Sequence, residues 1–248
     1  MKALLALLAA GTLLGAADAT QPARTPVLVE LFTSEGCSSC PPADAFLMKL
    51  NDAQPVAGVN VIALEEHVDY WDRQGWRDPF SSADFTARQK QYAAWLRVDS
   101  PYTPQMVIDG QHELVGSDSD TALRELAKSA RRPKVPVQLT WKEKSTGQAM
   151  LTVHVDATKS SGDVLLAITE SRLASDVARG ENAGRNLKHT AVVRRLTPIG
   201  KLKPGEAFST DTVVKLADNW KPENVSAVVF VQEQSKGRVL AAGELGLN

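Results

Sequence analysis

Two cysteines separated by two residues, Cys37 and Cys40, constrain this chain more than any other feature of its sequence. They lie between the apolar run 27–32, which has the length of a strand, and residues 41–51, where apolar side chains recur with helical spacing. The start of a helix stabilises an anion, so the first cysteine ionises more readily than a free thiol. The short spacing lets the second sulfur resolve a mixed disulfide. The pattern predicts Cys37 as the attacking, more exposed sulfur and Cys40 as the resolving one.

The spacing alone does not decide between a redox centre and a metal site. Zinc sites use the same spacing, but they need two further ligands at related spacing, and the sequence offers none. Two cysteines in 248 residues are also too few for a disulfide framework. The choice between a redox centre and a metal site therefore depends on the strands and helices predicted around the pair.

Four further elements follow the pair: a strand at 59–64, a helix from caps at 81–84 to about 98, a hairpin at 105–115 and a helix at 118–131. A strand, helix and strand in succession imply a parallel pair with a right-handed crossover. Thr103 and Pro104 precede the hairpin, where thioredoxin-like folds place a cis-proline that faces the disulfide. We therefore predict a three-layer α/β thioredoxin-like domain over residues 20–133, with Pro104 in its redox site and Thr103 as an accessory residue.

Two prolines, Pro133 and Pro136, mark a change of pattern. Beyond them apolar and polar residues alternate through about seven short segments with polar turns between them. Such a pattern is typical of a β-sandwich, so we expect an all-β sandwich-like domain over residues 134–248.

The N-terminus has the features of a secretory signal. A lysine at position 2 precedes an apolar run of about 14 residues and an A-x-A cleavage motif at 17–19. The run is shorter than the roughly 20 residues that span a bilayer. We expect residues 1–19 to be a signal peptide and the protein to be periplasmic or secreted, with no membrane contact after cleavage. A formal charge of −1 gives no reason to expect nucleic acid as a partner.

Several segments carry more specific motifs, namely 29–44 (VELFTSEGCSSCPPAD), 67–71 (HVDYW), 85–89 (FTARQ), 102–111 (YTPQMVIDGQ) and 180–185 (GENAGR), the last followed by His189 and by 192–194 (VVR). Together they resemble the secreted bacterial family catalogued as domain of unknown function 1223. The resemblance covers nearly all of the chain after the leader. It implies a thioredoxin-like fold and export, and it supplies no substrate.

The residues that flank the cysteines predict a thiol less acidic than in strong oxidants. Two prolines follow Cys40, so the regular helix is expected to begin there with Pro41 at its first position. Cys37 then lies just outside the helix, and the charge of Glu35 opposes its thiolate.

Other residues near the pair are further candidates, and most of them have more than one interpretation. His67 follows the second strand and is either an acid–base partner of Cys37, a soft-metal ligand beside both sulfurs, or a capping or core histidine. Glu30 is a weak candidate for proton transfer to Cys40, because its register differs by one residue from that of thioredoxin-like enzymes. The loop at 180–186 either reaches the thiol site or is a structural hairpin loop. The aromatic residues Tyr70, Trp71 and Trp76 line a groove for a peptide partner or, as we favour, pack their loop onto the second domain.

Three functional hypotheses follow. The first is an exported thiol-disulfide oxidoreductase that needs no cofactor and acts on a protein thiol or disulfide substrate with a redox partner protein. The second is a copper-binding or copper-delivery protein that uses Cys37, Cys40 and His67. The third is a non-catalytic binding module whose disulfide is structural.

Overall fold

A computed structural model describes residues 24–145 and 147–248. The predicted signal peptide, residues 1–19, lies outside the described residues. The first half contains β1 (Thr25–Thr33), α1 (Pro41–Ala53), β2 (Val59–His67), α2 (Ala83–Leu96), β3 (Gln105–Ile108), β4 (His112–Val115) and α3 (Ser119–Ser129). The second half contains β5 (Val137–Ser145), β6 (Gln148–Val155), β7 (Gly162–Glu170), β8 (Leu173–Asp176), β9 (Asn186–His189), β10 (Val192–Leu202), β11 (Phe208–Lys215), a 3-10 turn (Pro222–Asn224), β12 (Val225–Gln232) and β13 (Val239–Gly246).

The helices begin where the local sequence provides a start. Pro41 occupies the first turn of α1, where its missing N–H costs no hydrogen bond. The Ser82 hydroxyl caps α2 by accepting from the Asp84 N–H, and the Asp118 carboxylate caps α3 by accepting from the Thr121 N–H. These starts follow from residue types that the sequence displays.

One mixed sheet of eight strands crosses both halves of the chain, in the order β13-β12-β7-β10-β2-β1-β3-β4. The predicted fold class, an α/β thioredoxin-like three-layer domain followed by a separate all-β sandwich-like domain, is therefore wrong. Strands make up 43% of the described residues and helices 18%, so this part of the chain is mostly β. Periodicity identifies strands but does not tell which edges pair. The outer edge of β2 is joined by β10, and this continues the sheet across residue 133.

The junction between the halves is short. β2 and β10 run parallel and share one residue pair, Glu65 with Val192, and the Glu65 N–H donates to the Ala191 carbonyl at 2.9 Å. Within the first half, β1 and β2 are parallel and β3 is antiparallel to β1. The local strand order after the cysteines therefore matches the sequence pattern, although the overall fold does not.

Helices cover both faces of the first half of the sheet. One face packs against α1 and α3 through apolar side chains that include Val29, Leu31, Leu47, Leu50 and Leu126. The other face, with Leu28 and Ile62, packs against Phe85 of α2 and against Val228 and Phe230 of β12. In the second half, a three-stranded sheet β11-β6-β5 packs on β7 and β12 and completes a separate apolar core.

A close backbone approach ties two hairpins together. Gly110, in the turn between β3 and β4, has a φ of 65°, and a Cβ added there would lie 1.9 Å from the Gly237 carbonyl oxygen. Only glycine fits both the left-handed backbone and this contact. Among residues 24–145 and 147–248, no helix combines the length and apolar character needed to cross a membrane.

Candidate functional site

Cys37 and Cys40 form a disulfide between the end of β1 and the start of α1, with Cα atoms 5.4 Å apart. Both cysteines have 0% exposure, whereas Ser38 and Ser39 between them are exposed. The expectation that Cys37 is the more exposed sulfur does not hold in this oxidised state. A partner must therefore displace covering residues before it touches either sulfur.

The surroundings of the two sulfurs differ. Cys40 is the N-cap residue of α1, and Cys37 lies outside the helix, as the double proline predicts. The Ser39 hydroxyl lies 3.4 Å from Cys37 Sγ, and the Cys40 N–H donates to the Cys37 carbonyl at 3.2 Å. A hydroxyl in this position can donate to a thiolate on Cys37.

A segment of the second half covers the disulfide; we call residues 177–185 the covering loop. The Asn182 side-chain amide donates to the carbonyl oxygens of Glu35 and Cys37 at 2.8 and 3.0 Å. The Ser38 N–H donates to the Glu181 carboxylate at 3.0 Å, and the Arg185 guanidinium donates to the side-chain amide oxygen of Asn182 at 2.9 Å. The loop thus reaches the thiol site, which was one of its two interpretations.

Pro104 and Thr103 lie at the same end of the sheet as the disulfide. The peptide bond between them is cis, as the sequence position predicts. Phe32 pairs with Gln105, so Pro104 stands beside the last residue of β1, and its carbonyl accepts from the Gly116 N–H at 2.9 Å. The Thr103 hydroxyl accepts from the Trp71 indole N–H at 2.8 Å. Trp71 therefore packs its loop against this strand end of the first half, and not onto the second half as we expected.

Glu30 lies on the face of β1 that packs against α2, whereas α1 covers the opposite face. Its carboxylate binds Arg88 Nε at 2.5 Å and also accepts from the Tyr92 hydroxyl. Glu66 is buried near the same arginine, with Nε–Oε1 at 3.4 Å, and burial together with the Glu30 charge raises the pKa of Glu66 well above its ordinary value. Glu30 thus belongs to a buried ionic group that joins α2 to the sheet, and no described contact joins it to Cys40.

Asp44 is a buried acid of α1, on the sheet face opposite to Glu30. The sequence alone did not identify it. It lies one turn after Cys40, and its carboxylate accepts from the Thr33 hydroxyl at 2.6 Å. Burial, reinforced by the charge of Glu65, raises the pKa of Asp44 to about 7. The sequence does indicate a buried acid at this position, because Asp44 lies between Ala43 and Leu47 on the apolar side of the helix.

His67 lies in a buried group of charged side chains next to the disulfide. Its Nδ1 is 2.7 Å from Asp78 Oδ2, and its Nε2 is 3.5 Å from Glu65 Oε1. Burial opposes the charged imidazolium, but the Asp78 and Glu65 carboxylates raise the pKa of His67 well above its ordinary value. The Asp78 carboxylate also accepts from the Glu35 N–H at 2.8 Å, which connects the group to the backbone before Cys37.

His189 of the second half completes this group. Its Nδ1 lies 2.7 Å from Glu65 Oε1 and its Nε2 lies 3.2 Å from Glu35 Oε1. Burial lowers the pKa of His189, but Glu65 and Glu35 outweigh it and raise the pKa to about 9. Trp76 donates its indole N–H to the other Glu35 oxygen at 2.7 Å.

One set of metal-ligand types comes together among the described residues. Glu65, His67 and His189 each offer a ligand atom, and these atoms lie within 4.8 Å of one another. Neither sulfur belongs to this set, so the structure groups His67 with ligands other than those of the copper hypothesis. Glu65 and His67 lie two residues apart in β2 and therefore share one face of the strand, which the sequence displays. His189 comes from β9, and the sequence marked it only as part of the family resemblance.

Comparison with known proteins gives a family and a fold but no activity. The model of a family described as protein of unknown function (DUF1223) matches residues 28–232. A solved structure of protein AGR_C_4864 from Agrobacterium tumefaciens is 26% identical, with a TM-score of 0.71, over 92% of this chain and 97% of that chain. A domain of the outer membrane lipoprotein Omp28 from Porphyromonas gingivalis is 16% identical over 46% of this chain and 88% of that one, with a TM-score of 0.31. No curated protein matches the sequence.

Proposed function

This chain belongs to the DUF1223 family, and on that premise we propose that it is an exported thiol-disulfide oxidoreductase that acts on protein thiols or disulfides. The observation that carries the proposal is the Cys37–Cys40 disulfide at the start of α1, with the buried acid Asp44 one turn further along the same helix. Export to a periplasmic or extracellular site is part of the proposal and is supported by the features of residues 1–19.

The exchange has two steps. A substrate thiolate attacks Cys37 Sγ, the bond between the two protein sulfurs breaks, and Cys40 leaves with the electron pair. A second substrate thiolate then attacks the substrate sulfur of the mixed disulfide, which forms the substrate disulfide and releases Cys37 as a thiolate. Two electrons pass from the substrate dithiol to the protein. The reverse sequence, in which Cys37 attacks and Cys40 resolves, reduces a substrate disulfide.

Two side chains assist this exchange, Asp44 at Cys40 and Ser39 at Cys37. Asp44 in its protonated form supplies a proton to the Cys40 thiolate, and a pKa of about 7 lets the same carboxylate take the proton back near neutral pH. The Ser39 hydroxyl, 3.4 Å from Cys37 Sγ, donates to the Cys37 thiolate. Pro104 lies beside the end of β1, and because its carbonyl already binds the Gly116 N–H, its part in the proposal is to shape this strand end next to the disulfide.

Trapping of the mixed disulfide tests the proposal. Reduced Cys40→Ser protein is mixed with glutathione disulfide, and intact mass is followed with time. We expect Cys37 to take up one glutathione and keep it, because no resolving thiol remains. The matched Cys37→Ser variant should react more slowly, and the wild type should return to its internal disulfide. Equal reactivity of the two single variants, or no adduct on the folded Cys40→Ser protein, contradicts the assigned roles.

The complete burial of both cysteines favours a second candidate, a binding module with a structural disulfide. In that case dithiothreitol reduces the bond only when the chain unfolds, so the reduction rate equals the global unfolding rate. A redox centre instead reacts through local displacement of the covering loop, at a rate well above that of unfolding. Measuring both rates under the same conditions separates the two candidates.

A further inference from the structure

We propose that Glu65, His67 and His189 form a binding site for one divalent transition-metal ion. The set combines two imidazoles and one carboxylate, and their ligand atoms lie within 4.8 Å of one another. The inference does not depend on the proposed exchange reaction, because neither cysteine sulfur contributes a ligand.

The spacing of the ligand atoms fits such an ion. Atoms that bind a tetrahedral metal at about 2.1 Å lie roughly 3.4 Å apart. His67 Nε2 lies 3.5 Å from Glu65 Oε1, and His189 Nδ1 lies 2.7 Å from the same oxygen. The second distance has to open by less than 1 Å for an ion to enter between the three side chains.

An unpartnered nitrogen points into the site. His67 is fully buried, and its Nε2 has no hydrogen-bond partner among the described residues. An imidazole nitrogen left in this state costs free energy, which a coordinate bond to a metal removes.

The remaining nitrogen of each histidine is already oriented as in metal sites. Ligating histidines typically donate their other ring N–H to a carboxylate or a carbonyl. His67 Nδ1 lies 2.7 Å from Asp78, and His189 Nε2 lies 3.2 Å from Glu35. Both imidazoles therefore have an outer carboxylate, so each presents its other nitrogen toward Glu65.

Formal charge is also compatible with a divalent cation. Three carboxylates, those of Glu35, Glu65 and Asp78, are buried in contact with two imidazoles. Without a metal, protonated imidazoles offset two of these charges, which is the state that the raised pKa values of His67 and His189 favour. As metal ligands both imidazoles must be neutral, and a divalent ion then replaces the two protons at the same net charge. Imidazole and carboxylate together suit Zn²⁺, Co²⁺ or Fe²⁺, and the lack of sulfur ligands disfavours Cu(I).

The surrounding residues provide a wall and an access route. The Phe80 ring packs against both imidazoles, with centroids 5.3 Å from His67 and 5.6 Å from His189. A cavity of about 660 Å³ between α1 and the β8–β9 ribbon has His189 and Thr190 in its wall, so it approaches the site from outside. An ion can enter through this cavity or during folding.

Metal uptake by the full chain tests the inference. The oxidised protein is unfolded with a chelator, freed of metal and refolded with one equivalent of Co²⁺ or Zn²⁺. We expect about one metal per chain, d–d absorption bands with Co²⁺ and a higher melting temperature with either ion. The Cys37→Ser/Cys40→Ser variant should behave in the same way, which separates this site from the thiols and leaves the result independent of the exchange reaction.

Single variants locate the ion. His189→Asn and Glu65→Gln should lose the Co²⁺ bands, and Asp78→Asn should weaken the affinity roughly 10- to 100-fold. The control His154→Asn, at a half-buried histidine of β6 outside the site, should bind like the wild type. Circular dichroism of each variant without metal checks that it is folded, and if a ligand variant is unfolded, the milder Asp78→Asn variant decides. Absence of metal uptake by the refolded wild type overturns the proposal. Unchanged Co²⁺ affinity of His189→Asn or Asp78→Asn, measured by competition with a chelator, overturns it too.

Discussion

The backbone N–H of Asp44 donates to the carbonyl oxygen of Cys40 at 3.1 Å, so the buried acid and the second cysteine occupy consecutive turns of the same face of α1. This relationship joins the disulfide to a group that titrates near neutral pH. It gives the first of four predictions, each of which addresses a different contact in the structure.

Asp44→Asn should remove a pH dependence of stability. The pKa of Asp44 is about 7 in the folded chain and 3.8 for an ordinary aspartate, so the folded state binds more protons between these values. The free energy of unfolding therefore falls as pH rises from about 4 through about 7, and Asp44→Asn should be more stable than the wild type at pH 8 by on the order of 1–4 kcal/mol. Urea unfolding at pH 5 and pH 8 measures this. The exposed Asp52→Asn change on the same helix is the control, and an unaltered pH slope in Asp44→Asn would contradict the assignment.

Asn182→Ala should expose the disulfide. The substitution removes two hydrogen bonds that hold the covering loop on the carbonyls of Glu35 and Cys37, each worth about 1 kcal/mol. We expect reduction by dithiothreitol to accelerate roughly 10-fold, with little change in the global unfolding rate. Asn186→Ala, which removes an exposed contact with Asp176, serves as the matched control. Equal reduction rates in the two variants would show that the loop does not limit access.

Arg88→Met should destabilise the fold strongly, whereas Glu66→Gln should not. Removing the arginine leaves the buried Glu30 carboxylate without its cationic partner, at a cost of about 3–5 kcal/mol. Glu66→Gln removes a buried acid whose oxygens have no hydrogen-bond partner among the described residues, so stability at neutral pH should be unchanged or higher. Chemical denaturation compares both with Lys90→Met, an exposed change on α2. A loss in Arg88→Met no larger than in this control would refute the role of the ionic group.

Gly110→Ala should lower the free energy of unfolding far more than Gly58→Ala. Both glycines have a positive φ, 65° and 74°, so both changes carry the backbone strain of about 1 kcal/mol. A Cβ at Gly58 meets nothing within 4 Å, whereas a Cβ at Gly110 lies 1.9 Å from the Gly237 carbonyl. Gly110→Ala should therefore lose about 2–5 kcal/mol in total. Thermal unfolding of both variants checks the difference; similar losses would mean that the two hairpins separate freely.

Local features of this protein could be predicted from sequence because they depend on near neighbours. The start of α1 at Pro41 and the cap of α3 at Asp118 follow from residue types within a few positions. The cis bond before Pro104 was predicted from its place in the order of elements around the cysteine pair. The family resemblance drawn from the motifs is likewise confirmed.

The wrong fold class has a physical cause. Whether the edge of β2 stays open or accepts β10 depends on side-chain packing between residues more than 120 positions apart, such as Glu65 and Val192. Alternation along each strand contains no information about that partner.

The buried charged group could likewise be predicted from the sequence only in part. Its first-half members, Glu65 and His67, share a face of β2 by alternation, and Asp44 interrupts the apolar side of α1, so these three were within reach of sequence reasoning. His189 and Asn182 reach the group only through the fold of the second half.

The junction between β2 and β10 makes the two halves of the chain depend on each other. Residues 24–133 supply the two cysteines and Glu65, whereas residues 134–248 supply Asn182 and His189. A gene fragment that encodes either half alone would produce a bare strand edge and an incomplete set of buried charges. We therefore expect that exchange of one half for that of a relative would break both the sheet and the buried group unless the other half changed with it.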